Sequence, residues 1–187
     1  MKTAKKKRLS KNDWLLGTLY FVAKNGPEFL KIDNICKALG VTKGSFYSHF
    51  KNREEFLREV VLFWASEYTE SIQNIVNKLK YEPPKDRLLS VVKAITLLHA
   101  HSFDLSIRAL ALHEVIVKEG VEKVDKMRLD YLTEIFFEIG FRGKELEMRV
   151  RLFVVYFSFF DLVKNFGNSG DLDRIAEMIV ELLSHRD

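Results

Sequence analysis

Ile32-Asp33-Asn34-Ile35-Cys36-Lys37-Ala38-Leu39-Gly40-Val41-Thr42-Lys43-Gly44-Ser45-Phe46-Tyr47-Ser48-His49-Phe50 reads as a helix, a glycine turn and a second helix. Ile35, Cys36 and Leu39 fall on one face of the first helix. Gly40 follows as the residue that tolerates the positive φ of a helix end. Thr42 stands where a side-chain oxygen caps the next helix, which runs from Lys43 to about His49. Phe46 and Phe50, four apart, share its buried side. That leaves Thr42, Lys43, Gly44, Ser45, Tyr47, Ser48 and His49 partly outward: hydroxyl donors, one cation, and a glycine that admits close backbone approach. The arrangement is a helix-turn-helix, a motif whose second helix enters the DNA major groove with its amino-terminal residues at base edges while phosphate contacts fix the register.

Upstream, Trp14, Leu15, Leu19, Val22 and Ala23 lay an apolar stripe along a helix from Asn12 to Asn25, closed by Gly26-Pro27. Three helices thus share one small core. Downstream, Asn52 is a fresh cap with Glu54 and Glu55 in the first turn, where negative charge suits the helix dipole. This long helix can continue through Leu79 before Pro83-Pro84. Further helices fit Lys85 to Ser102, Asp104 to Lys118, Val121 to Ile139, Lys144 to Phe166 and Leu172 to His185, with turns at Gly120, Gly140, Gly143 and Gly167 to Gly170. No segment alternates like a half-buried strand, so the expected fold is all-α with about nine helices. Residues 1–52 form a helix-turn-helix domain and 53–187 a helical effector-binding and dimerisation domain.

The block from Gly40 to Leu57, including Lys51-Asn52-Arg53-Glu54-Glu55-Phe56-Leu57, resembles the recognition-helix signature of the tetracycline-repressor (TetR) family. The likeness covers roughly residues 10–57. It implies an all-α homodimer that represses transcription until a small molecule binds the carboxy-terminal domain. It also implies roles: Tyr47 and His49 match phosphate-holding positions, Lys43, Gly44 and Ser45 lie near base edges, and Arg53 matches a basic residue opening the fourth helix. Where the family commonly has a small hydroxyl residue opening the second helix, this chain has Leu30-Lys31. Lys31 can reach a phosphate instead, and Asp33 in the first turn offsets the missing cap through the dipole. Thr18 and Cys36 replace common alanines.

The charge distribution agrees. Residues 1–53 hold 12 basic and 3 acidic residues, a balance of +9, against an overall +4 for the 187-residue chain. A cationic surface of this kind releases condensed counterions when it neutralises phosphates. Lys2, Lys5, Lys6, Lys7 and Arg8 form a basic tail that can follow DNA once the domain docks. Cys36 is the single cysteine, which excludes an intramolecular disulfide and fits a reducing compartment. No apolar run approaches the roughly 18 residues of a membrane span, and no secretory signal follows the basic start, so the cytoplasm is the expected location and no membrane partner is expected.

The stretch from Leu152 to Phe160 is apolar nearly all round and needs two partners. Pairing it and the last helix with their copies buries both in a four-helix bundle. Phe153, Tyr156, Phe160, Leu172, Ile175, Ile179, Leu182 and Leu183 are the expected interface residues. A twofold dimer sets its recognition helices roughly 34–36 Å apart and reads a palindromic operator. Phe63, Trp64, Tyr68, Leu98, Phe103, Leu112, His113, Tyr131, Phe137, Tyr156 and Phe157 lie on the helices that line an effector pocket in the resembling family, which suggests a hydrophobic or aromatic effector. His99 and His101 are two apart and do not share a helix face, so no metal is expected, nor any cofactor.

These features point to a ligand-responsive, DNA-binding repressor. A helix-turn-helix interaction module that has lost DNA binding is the alternative, and the +9 block speaks against it. An enzyme is not expected: there is no nucleophile elbow, Gly-rich phosphate loop or His-Glu-x-x-His motif.

Overall fold

The structure, a computed structural model, describes residues 9–97, 103–160 and 172–185. Helix α1 (Lys11–Asn25) starts one residue earlier than expected, because Ser10 caps it: the Asp13 N–H donates to Ser10 Oγ at 3.1 Å and the Ser10 N–H donates back to the Asp13 carboxylate at 2.8 Å. Trp14, Leu15, Leu19 and Val22 are buried as the stripe predicts. Ala23 is not: it faces water, and Thr18 takes the inward position, its hydroxyl donating to the Trp14 carbonyl at 2.7 Å. A 3-10 turn (Pro27–Phe29) leads to α2 (Ile32–Leu39), which ends at Gly40 with φ 65°, and then to α3 (Lys43–Tyr47).

Helix α4 (Arg53–Ala65) is capped by Asn52 Oδ1, which accepts from the Glu55 N–H at 2.8 Å. A π turn (Ser66–Glu70) joins it to α5 (Ser71–Lys78). The rest comprises α6 (Pro84–Leu97), α7 (Asp104–Ala111), α8 (Val115–Ile139), α9 (Gly143–Ser158) and α10 (Leu172–Ser184). With α4, the π turn and α5 taken as one rod, the described residues form nine helical rods and no strand, so the fold is all-α.

The expected break at Gly120 is absent. The chain turns at Leu112–Glu114, and α8 runs straight through the glycine. The reason is packing: a Cβ on Gly120 would lie 2.1 Å from Cγ1 of buried Val61, so glycine lets α8 lie against α4.

Two apolar clusters form the interior. The first runs from the α1–α3 head (Trp14, Phe46, Phe50) through α4 (Phe56, Val60, Trp64) into α7 (Ile107) and the front of α8 (Val117, Val124). Edge-to-face ring pairs tie the head together, with Trp14 and Phe46 centroids at 5.7 Å and Phe50 and Phe56 at 4.9 Å. The second joins α5, α6, the rear of α8, α9 and α10 around Leu88, Phe136 and Phe153.

Candidate nucleic-acid interface and ligand cavity

The recognition segment stands on a rigid base. Phe46 and Phe50 are buried, and Thr42 Oγ1 accepts from the Ser45 N–H at 3.2 Å, fixing the first turn of α3. Thr42, Lys43, Gly44, Tyr47 and Ser48 are exposed, and Ser45 is half-buried. The Ser48 hydroxyl donates to the Ser45 carbonyl at 2.8 Å. Lys31 is exposed at the start of α2, where no side chain caps the helix, as the sequence predicts.

Three predicted contacts are modified by what they touch. Lys43 Nζ sits 2.7 Å from Asp33 Oδ1, so Asp33 does more than face a helix dipole: its carboxylate accepts the ammonium's hydrogen bond and pushes the Lys43 pKa up. His49 is half-buried, and its Nε2 is sealed in the protein without a hydrogen-bond partner. That nitrogen does not face outward. Arg53 is not a free cation: Nη1 and Nη2 reach the two Glu114 oxygens at 3.1 and 2.5 Å. This bidentate pair joins the start of α4 to the residue capping α8, and it holds the Glu114 carboxyl below its ordinary range.

Behind the first core lies a second polar constellation. Arg128 donates to the Asp104 oxygens at 2.5 and 3.0 Å and to Thr69 Oγ1 at 3.0 Å, and its guanidinium lies 5.3 Å from the centre of the Trp64 ring. Arg108 donates to Asp125 at 2.8 and 2.5 Å, and to Ser158 Oγ at 3.2 Å. The Ser158 hydroxyl in turn donates to Asp104 at 2.9 Å. The π turn matters here, because it carries Tyr68 and Thr69 on consecutive positions into this region. Sequence reasoning passed over Asp104 and Arg128. The available signal was the Asp104/Arg108 pair four apart on α7 facing Asp125 and Arg128, three apart on α8.

A narrow cavity of about 30 Å³ opens beside Asp104 and Arg128. It brings together Tyr68, Tyr131 and Phe157 of the expected pocket, with Ile72, Ile95 and Phe153. Across Val154 lies an open cleft of about 350 Å³ bordered by Arg108, Asp125, Arg151 and Ser158. The other expected pocket residues go elsewhere. Phe63, Trp64 and Phe103 pack into the first apolar cluster. Leu112 and His113 sit on the exposed turn before α8. Phe137 is on the surface under the Arg142 guanidinium, and Tyr156 faces out of α9. Leu98 lies outside the described residues, as do His99, His101 and the basic tail.

The expected interface set also divides. Phe153 is buried within the chain, and Ile179 and Leu183 pack against the same core, because the last helix lies against α6. Ile175 and Phe160 are half-buried, while Tyr156 and Leu182 are exposed. The outward apolar face of α9 is Met148, Leu152, Val155, Tyr156 and Phe159, and that of α10 is Met178 and Leu182. Leu172 adds nothing, its side chain lying outside the described residues. Among the described residues no His, Cys, Asp and Glu group could hold a metal ion, and no helix is long and apolar enough to cross a membrane.

Comparison with known proteins bears on this geometry at two scales. Residues 19–60 match the family model of bacterial regulatory proteins, tetR family. A stretch of 90 residues, 48% of this chain, is 30% identical to YerO of Bacillus subtilis, an uncharacterized HTH-type transcriptional regulator, and spans 29% of that protein. At the level of the whole fold, AibR in complex with isovaleryl coenzyme A and operator DNA superposes with a TM-score of 0.72 at 17% identity, covering 92% of this chain and 96% of AibR. The regulator FadR of Bacillus subtilis, in complex with stearoyl-CoA, gives 0.63 at 18% identity, with 91% and 96% covered. The recognition segment and the all-α architecture agree with these likenesses: residues 19–60 are similar to the tetR family of bacterial regulatory proteins, and the whole chain shares the fold of these solved regulators.

Proposed function

We propose that the chain is a transcriptional repressor that binds a palindromic operator as a homodimer and is released by a small apolar effector. The observation that carries this is the first turn of α3, which presents Lys43, Gly44 and Tyr47 to solvent on a base locked by Phe46 and Phe50. Donors and a cation on a rigid helix end suit base-edge and phosphate contact. Pairing is supported by the outward face of α9: Met148, Leu152, Val155 and Phe159 recur at spacings of four, three and four, a seam that wants a partner helix. Met178 and Leu182 continue it on α10. The effector reading rests on the apolar cavity between α5, α6, α8 and α9, and on two fold neighbours whose complexes hold acyl thioesters of coenzyme A.

Fluorescence anisotropy on the upstream DNA of the chain's own gene tests the reading. Binding should be dimeric by sedimentation and should weaken steeply with salt. No binding at low ionic strength, or a monomer at working concentration, would refute it.

A further inference from the structure

Among the described residues, the charges of the network beside the narrow cavity balance, and this decides what it can hold. Arg128 and Arg108 face Asp104 and Asp125, two cations against two anions, Thr69 and Ser158 take further hydrogen bonds, and Arg108 Nε is sealed in the protein without a partner. An incoming carboxylate would find both guanidiniums already paired with carboxylates and would add an uncompensated buried charge, which is strongly unfavourable. Of the two tyrosines that line the cavity, Tyr68 is half-buried and Tyr131 is the deeper. Tyr131 is 8% exposed and lines the cavity, and its hydroxyl makes no hydrogen bond among the described residues. Burial pushes its pKa up to about 12, so it stays protonated and serves as a donor. The remaining wall is aliphatic and aromatic, from Ile72, Ile95, Leu132 and Phe157.

We propose that this cavity takes a neutral, slim apolar molecule through one carbonyl-type oxygen that accepts a hydrogen bond from Tyr131, and discriminates against the corresponding anion. Esters, amides, ketones and thioesters on an alkyl tail share this chemistry. The proposal deepens the effector reading above and rests on it for its role in regulation. As it stands the cavity has room for about two waters, so a tail enters by parting the apolar walls while the ion pairs and Tyr131 keep their positions.

Octanamide and octanoate, equal in length and differing in charge, are the probes. Calorimetric titration of the full chain near neutral pH should give octanamide at least tenfold tighter binding than octanoate. Tyr131→Phe should weaken octanamide about three- to tenfold, the worth of one hydrogen bond. It should leave octanoate and the melting temperature unchanged. Asp104→Asn, which leaves Arg128 in excess, should narrow the preference by improving octanoate. Octanoate binding as well as octanamide, Tyr131→Phe without effect on octanamide, or neither probe binding up to its solubility would overturn the proposal. Anisotropy on operator DNA separates the two readings. Tyr131-dependent octanamide binding that leaves DNA affinity unmoved keeps the site and removes its regulatory role. DNA release by octanoate as readily as by octanamide keeps the regulator and removes the site.

Discussion

Lys43 and Asp33 meet at the surface with more than half of each side chain in water, whereas Arg128 and Asp104 meet with 12% and 2% left exposed. The chemical groups differ little, but the surroundings reverse their meaning. In water an ion pair is screened and easily exchanged for another partner, such as a phosphate. In the interior each charge has given up its hydration and is held by the other and by the hydroxyls of Thr69 and Ser158, so the pair is costly to break and contributes little net stability compared with an apolar replacement. One region can therefore act as a contact surface that trades partners, and the other as a fixed wall that sets the polarity of a cavity.

Removing one buried partner should have the largest effect. Asp104→Ala should lower stability by about 3–5 kcal/mol, because it strands Arg128 and leaves Ser158 without its acceptor. Replacing both Asp104 and Arg128 by apolar residues of similar size should recover most of that loss. Chemical denaturation reads both variants. A single replacement costing under about 1 kcal/mol would place the pair with the surface ones.

The joint between the two regions gives the next effect. Gly120→Ala forces a methyl group into Val61, an overlap worth about 1–3 kcal/mol, from which roughly 1 kcal/mol of helix propensity must be subtracted. Val61→Ala in the same chain should relieve it. The sequence hid this. A glycine amid apolar and charged residues looks like a punctuation mark, and only the neighbour contributed by α4, far away in the chain, turns it into a packing device.

The same contrast explains what was readable in advance. Gly40, Thr42, Asn52 and the Phe46/Phe50 pair act through neighbours a few residues away, so spacing alone placed the head, its caps and its outward residues. Asp104, Thr69 and Arg128 come from α7, the π turn and α8, and only tertiary packing unites them. The partner of Arg53 is hidden for the same reason: its local context is a basic residue at a helix start, and Glu114 stands 61 positions later. On α9 the apolar run was plain, but a face shifts by 100° with each residue, so Phe153 points inward and Leu152 and Val155 outward.

At the exposed end, Lys43→Ala should weaken operator binding roughly 5- to 100-fold and flatten its salt dependence by about one counterion, with stability nearly unchanged. Unaltered affinity would remove Lys43 from the interface. Glu114→Gln probes the pair that lies between the two extremes, with 44% of Arg53 and 23% of Glu114 side chain exposed. The Glu114 pKa is lowered in the folded state, so its contribution is complete above the ordinary value of 4.5 and disappears as pH falls through the lowered one. Glu114→Gln should thus remove about 1 kcal/mol or less at neutral pH, after allowance for screening, and erase that part of the acid dependence. It also frees Arg53 for a phosphate, so DNA affinity should rise.

The smallest effect is the most informative about the surface. Asp33 holds Lys43 and, in the first turn of α2, also faces the positive end of that helix. Asp33→Asn removes an anion close to where DNA phosphates would lie and releases the lysine from its internal partner. Both changes favour DNA, while the lost dipole and pair terms act against the fold by only a few tenths of a kcal/mol. Affinity for operator and for random DNA should therefore rise together by roughly two- to fivefold, with a steeper salt slope, since the gain is electrostatic and not tied to sequence. A gain confined to the operator would mean that Asp33 orients Lys43 toward a base edge, and a loss would mean that the pair itself is the geometry the groove reads.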